Sequence, residues 1–115
     1  MSFNIYYLDD EPLLCDLFVD YFESDDISIT TFTLPELALK AAADKAPDLF
    51  FIDYRLPGTT GDIVALELPA DIPKVLITGE INPKPEYQFD KIFLKPYNST
   101  LIQDYLDLAL KNQKK

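Results

Sequence analysis

The sequence predicts an α/β fold: a doubly wound, five-stranded parallel sheet in the order 2-1-3-4-5, with helices on both faces. Three observations predict it. Short branched or aromatic runs alternate with segments of helical periodicity, which calls for parallel strands joined by right-handed crossovers. The run Leu49-Phe50-Phe51-Ile52 is apolar at consecutive positions, as suits a strand buried on both faces. Four of the five apolar runs end in a charged group or a lone hydroxyl, at the strand edge where open α/β sheets bind ligands.

In chain order, Phe3 to Leu8 reads as the first strand, running straight into Asp9, Asp10 and Glu11. Pro12 suits the first turn of a helix, and the acidic residues before it complement the helix dipole. Leu13, Leu14, Leu17, Phe18, Tyr21 and Phe22 then recur at helical spacing until Glu23-Ser24-Asp25-Asp26. Cys15 lies inside this helix as a packing residue. Ile27 to Phe32 is a short second strand. Thr33-Leu34-Pro35-Glu36 has capping-box spacing and opens a helix to about Lys45, which Pro47 closes.

The third strand, Leu49 to Asp53, ends in a carboxylate and breaks into a loop with Pro57, Gly58 and Gly61. A short helix from about Asp62 to Leu68 is closed by Pro69. Lys74 to Thr78 is the fourth strand. Pro83 and Pro85 make a long regular helix a poor fit to Gly79–Asp90, so a fourth helix is short or missing there. Lys91 to Lys95 is the fifth strand. A last helix from Asn98 or Ser99 turns Leu101, Ile102, Tyr105, Leu106, Ala109 and Leu110 inward and ends in lysines.

Composition bounds the function. The 115 residues are read as one domain, 1–115, large enough for a core without staples. No apolar run is long enough to cross a bilayer, and the N-terminal Met-Ser-Phe-Asn lacks the basic flank and apolar core of a secretory signal. Cys15 alone permits no internal disulfide, and a cytoplasmic location is the expectation. The net charge of −10, with no basic block, argues against direct nucleic-acid binding. The absence of histidine excludes a Ser-His-Asp triad, histidine-ligated zinc and a phosphohistidine carrier role.

In the order 2-1-3-4-5, strands one, three, four and five are contiguous, so Asp9-Asp10, Asp53, Thr78 and Lys95 meet in one crevice. Each alone has an ordinary explanation: a charged helix start, an Asp opening a turn, a strand-end hydroxyl, a solvated lysine. Their joint placement is the signal. Two carboxylates about 5 Å apart repel by roughly 3 kcal/mol at an effective dielectric near 20. A hard divalent cation relieves that cost, and oxygen ligands with room for water suit Mg²⁺. An acceptor carboxylate, a metal, a cation and a hydroxyl donor would orient a phosphoryl group for in-line transfer.

The segments Leu8-Asp9-Asp10-Glu11, Phe51-Ile52-Asp53-Tyr54-Arg55-Leu56-Pro57-Gly58 with Gly61, Leu76-Ile77-Thr78-Gly79 and Leu94-Lys95-Pro96-Tyr97 resemble, in order and spacing, the receiver domain of two-component response regulators. The resemblance covers the whole chain and implies the flavodoxin-like fold of chemotaxis regulators. It implies Asp53 as phosphoacceptor for a sensor histidine kinase or a histidine phosphotransfer protein. It implies Asp10 as a direct Mg²⁺ ligand, Asp9 as a ligand through water and the Arg55 carbonyl as a further ligand. Lys95 would contact the phosphoryl group and Thr78 would move to hydrogen-bond it. Lys95-Pro96 becomes a candidate cis peptide.

Three departures stand out. The position three before Lys95, where the family carries its switch aromatic, is Ile92, and Phe93 points to the opposite strand face. The interval from Thr78 to Lys95 is short, and so is the helix after Gly61. A receiver that keeps its chemistry and signals through an altered surface is the expectation, with an unidentified output partner or an effector domain from which this one was cut. Arg55 and Glu80 would flank the acceptor. Two other readings stay open: a pseudo-receiver that only binds partners, and a small Mg²⁺-dependent phosphohydrolase of the haloacid-dehalogenase type. The latter needs an Asp two residues after its nucleophile, and position 55 is Arg.

Overall fold

The computed structural model describes residues 3–80, 83–96 and 98–113. Tyr97, from the last of the four matching segments, and Lys114 and Lys115, expected from the sequence to end the last helix, lie outside the described residues. The described elements are β1 (Phe3–Leu8), α1 (Pro12–Phe22), β2 (Ile27–Phe32), α2 (Pro35–Asp44), β3 (Leu49–Asp53), β4 (Arg55–Leu56), β5 (Thr59–Thr60), α3 (Gly61–Glu67), β6 (Lys74–Thr78), β7 (Lys91–Leu94) and α4 (Ser99–Gln113). The main sheet is parallel, in the order β2-β1-β3-β6-β7. This is the predicted order, with β2 at one margin and β7 at the other.

Strand alternation divides the core into two layers. Ile5, Tyr7, Phe51, Ile77 and Phe93 meet Phe18 and Phe22 of α1 and Ile102 and Leu106 of α4. Leu8, Phe50 and Ile52 meet Ala38 and Ala42 of α2 and Val64 and Ala65 of α3. Phe18 anchors the first layer: it stacks on Tyr7 at 4.2 Å and lies 4.9 Å from Phe51. Burying a side chain of that size contributes about 2–3 kcal/mol. The small alanines of α2 let that helix lie close to the sheet.

Local details correct the sequence reading. Thr33 does not cap α2: the cap position is Leu34 in extended backbone, with no side-chain hydrogen bond. Pro35 opens the helix directly after it, so Thr33 lies one residue too early to reach the helix N–H groups. On α1, Leu13, Leu17 and Tyr21 are exposed, and the buried stripe runs through Cys15, Phe18 and Phe22. On α4, Leu101 faces outward. β7 ends at Leu94 rather than Lys95.

Two features flank the carboxyl edge of β3. Arg55–Leu56 and Thr59–Thr60 form a small antiparallel hairpin that the sequence did not reveal. Its turn is Pro57-Gly58, with Gly58 at φ +72°, the arrangement of a turn that needs glycine at its second central position. Among the described residues between β6 and β7 there is no helix, as the two prolines predict. Pro83–Asp90 instead runs as a strap in which Pro83, Pro85, Tyr87 and Phe89 are half-buried and the residues between them are exposed. Tyr87 and Phe89 pack edge to face at 5.0 Å against the α2/α3 layer, where a helix would otherwise cover the sheet.

Candidate functional site

The strand order brings Asp9 and Asp10 after β1, Asp53 at the end of β3, Thr78 at the end of β6 and Lys95 after β7 to one edge. Carboxylate oxygens of Asp9, Asp10 and Asp53 all lie within 4.8 Å of one another. Lys95 Nζ donates to Asp53 Oδ1 at 2.9 Å and to Asp9 Oδ2 at 3.3 Å, so it bridges the two buried carboxylates. The Lys95-Pro96 peptide is cis.

Asp9 is fully buried and well supplied with donors. Its Oδ2 accepts the Tyr7 hydroxyl at 3.0 Å as well as Lys95, and its Oδ1 accepts the Glu11 N–H at 3.0 Å. The sequence reading missed Tyr7. The signal was its spacing: residues two apart on a strand share a face, so a tyrosine two before an aspartate can reach it. Asp10 is exposed. Thr78 is buried, and its Oγ1 accepts the Glu80 N–H at 3.0 Å. The Arg55 side chain points into solvent and pairs with Glu80, so the two flanking residues hold each other.

Burial pushes the Asp53 carboxyl up to about 6. The Lys95 hydrogen bond opposes that rise, while the charges of Asp9 and Asp10 reinforce it. Burial also works against the Lys95 charge, but the hydrogen bond and charge of Asp53, with Asp9, outweigh it and hold the ammonium above its ordinary range. At neutral pH Asp53 is therefore an ionised carboxylate held in unfavourable surroundings. Burial, with Asp9 and Asp16, pushes the Cys15 thiol up to about 11, so it is a packed, inert group.

Three carboxylates offset by one lysine leave a net negative pocket whose possible metal ligands are all carboxylate oxygens. Such a donor set fits a hard cation such as Mg²⁺ and not a soft one. Because Asp9 already accepts three protein donors, Asp10 and Asp53 are the carboxylates better placed to face a cation directly.

Close packing behind Asp53 dictates glycine at position 61. A Cβ on Gly61 would overlap the Asp53 carbonyl oxygen and crowd Ile52, so only glycine lets α3 start there. The Gly61 N–H donates to the Tyr54 carbonyl at 2.7 Å. The next residue, Asp62, is buried. Its Oδ2 accepts the Glu86 N–H at 2.7 Å and its Oδ1 accepts the Thr60 hydroxyl. Burial opposes its charge, yet these donors, with the N–H groups of Asp62 and Ile63, hold the carboxyl below the usual carboxylate range. In the sequence alone Asp62 reads only as a helix start.

Comparison with known proteins gives a concordant picture. Residues 5–106 match the response regulator receiver domain. The transcriptional regulatory protein CssR of Bacillus subtilis is 36% identical over 82 residues, covering 69% of this chain. The transcriptional regulatory protein BaeR of Escherichia coli O6:H1 is 31% identical over 102 residues, covering 83% of it. These matches span 36% of CssR and 42% of BaeR, so the chain corresponds to less than half of each. Among solved structures, the signal receiver domain of an HD domain-containing protein from Pseudomonas fluorescens superposes with a TM-score of 0.87 at 17% identity, covering 99% of this chain and 98% of that one. A CheY-like receiver domain from Methylobacillus flagellatus gives 0.83 at 20% identity, covering 95% and 99%.

Proposed function

The chain belongs to the response regulator receiver domain family, and on that premise we propose that it accepts a phosphoryl group from a phosphohistidine donor onto Asp53. One observation carries the reading: Lys95 bridges Asp53 and Asp9 inside a cluster of three carboxylates at the ends of neighbouring strands. No arrangement of that kind is needed to stabilise a fold, since like charges crowded at a buried edge destabilise it.

Asp10, Asp53 and the Arg55 carbonyl would hold Mg²⁺, with Asp9 reached through water. When bound, the ion neutralises charge on the phosphoryl oxygens. The rest is done by the chain. An Asp53 oxygen forms the bond to phosphorus while the phosphorus–nitrogen bond of the donor breaks and the electron pair leaves with the imidazole. With its carboxyl at about 6, Asp53 is ionised at neutral pH and needs no general base. Lys95 turns from Asp53 Oδ1 to the phosphoryl oxygens and offsets their charge. The Thr78 hydroxyl, whose oxygen accepts the Glu80 N–H, retains a proton to donate to a third oxygen.

The donor is a sensor histidine kinase or a histidine phosphotransfer protein, and the domain is a signalling module rather than an enzyme acting on free substrates. Its output passes to a partner or an effector domain. Ile92 is half-buried where the switch aromatic of the family would stand, while Phe93 is committed to the core against Tyr105 at 5.8 Å. On this reading the phosphoryl group is reported by a route other than a threonine-to-aromatic relay.

Incubation with acetyl phosphate and Mg²⁺, followed by intact-mass measurement, tests the reading. One labile phosphoryl adduct is expected, absent in Asp53→Ala and in EDTA. An unmodified wild-type chain would favour a partner-binding pseudo-receiver. Turnover of a free phosphate ester would favour a hydrolase.

A further inference from the structure

The strap Pro83–Asp90 is fastened at several points, and one of them joins it to the acceptor loop. At its far end, the Lys74 N–H donates to Asp90 Oδ2 at 2.7 Å and the Asp90 N–H returns to the Lys74 carbonyl at 2.9 Å. The buried Lys74 ammonium holds the Tyr87 hydroxyl at 3.2 Å and lies 5.0 Å from the centre of its ring. The same ammonium is anchored on the carbonyls of Pro69 and Ile72 at 2.8 and 2.9 Å. These contacts tie the strap only to β6 and the turn before it.

Asp62 is different. One of its oxygens holds the strap through Glu86, and the other holds Thr60 of β5. Thr60 pairs in register with Arg55 of β4, and Gly61 between Thr60 and Asp62 lies against the Asp53 backbone. No salt-bridge cation faces Asp62 among the described residues, so its charge rests on neutral donors: Glu86 and Thr60, with the N–H groups of Asp62 and Ile63. A buried charged group of this kind is expensive to leave unpaired. Moving either the hairpin or the strap away would strip a donor from it, so the hairpin and the strap share one carboxylate.

We propose that Asp62 is a latch that couples closure of the strap to loading of the carboxylate pocket through the Arg55–Thr60 hairpin. The inference rests on the reading of that pocket as a Mg²⁺ and phosphoryl site, because the hairpin carries the Arg55 carbonyl assigned to the ion. Fixing the hairpin favours the latched strap, and by reciprocity the latched strap favours the loaded pocket. Asp62 is thus a positioning residue. It gives this receiver a path from Asp53 to its surface that needs neither a helix between β6 and β7 nor the aromatic missing at Ile92.

Hydrogen exchange of the 83–90 backbone, followed by mass spectrometry on the full chain with EDTA or saturating Mg²⁺, tests it alongside calorimetric Mg²⁺ titration. In wild type, Mg²⁺ slows exchange of the strap by about fivefold. In Asp62→Asn the strap exchanges about tenfold faster in EDTA and no longer responds to Mg²⁺. Thr60→Val cuts only the hairpin side of the latch. Its strap is as protected as wild type in EDTA, but the response to Mg²⁺ is lost and Mg²⁺ affinity falls by the factor by which coupling fell. This second variant decides the matter should Asp62→Asn fail to fold. Mg²⁺ binding to wild type with no change in strap exchange, or a wild-type response in Thr60→Val, overturns the latch and leaves the proposed site standing. Absence of Mg²⁺ binding overturns both.

Discussion

Asp53 and Asp62 stand nine positions apart, both buried, and their surroundings drive them in opposite directions. Burial raises the Asp53 carboxyl, two like charges add to the rise, and one lysine resists it. Asp62 has as little exposed surface but is less deeply desolvated and is met by neutral N–H and O–H donors, and its carboxyl is held low. A cation with rivals stands in the first pocket and a full set of dipoles in the second. The difference separates a carboxylate kept at a cost to the fold from one that holds the fold together.

The largest expected effect breaks the second half of that comparison. Asp62→Ala leaves the Glu86 N–H and the Thr60 hydroxyl without their acceptor and costs about 3 kcal/mol, read from the urea midpoint at constant m. The sign of its pH dependence follows from the lowered carboxyl. Below the ordinary value of 3.8 the unfolded chain binds the proton first, so stability from Asp62 is complete above that value. It is lost as the pH falls through the lower folded value, and the gap between wild type and Asp62→Ala narrows there.

The next effect has the opposite sign. Between about 4 and 6 the folded chain holds a proton on Asp53 that the unfolded chain has released, so stability falls as pH rises through that window. Asp53→Asn in EDTA at pH 7.5 is therefore more stable than wild type by about 2 kcal/mol, and the gain vanishes near pH 4. Destabilisation by the same substitution at neutral pH would mean that the Lys95 hydrogen bond outweighs burial and repulsion. The smallest effect sharpens the contrast. Arg55 and Glu80 pair beside the pocket, but both are exposed, so Arg55→Ala changes stability by no more than about 0.5 kcal/mol, read from the urea midpoint at constant m.

The contrast also explains what the sequence could tell. The carboxylate pocket was legible because each member stands at a strand end, and strand ends are visible as apolar runs that stop. The alternation of elements then fixes which ends are neighbours. The absence of a helix among the described residues between β6 and β7 was legible from Pro83 and Pro85, since proline removes a donor wherever it stands. Asp62 was not legible, because its partner Glu86 lies twenty-four residues away in a segment without periodicity. Lys74 read as the first residue of a strand, and nothing local shows that its ammonium would be buried on Tyr87. The hairpin at Arg55–Leu56 was hidden by its length, two residues a side. Thr33 illustrates the reverse error: a correct spacing for a cap, displaced by a proline that starts the helix one residue later.

The most direct test of the contrast is a carbon-13 titration of the side-chain carboxyls of Asp53 and Asp62, with and without Mg²⁺. The expected result is an Asp53 midpoint near 6 that drops on adding the ion, and an Asp62 midpoint below the ordinary 3.8 that stays below it. An Asp53 that titrates at the ordinary value and ignores Mg²⁺ would contradict it.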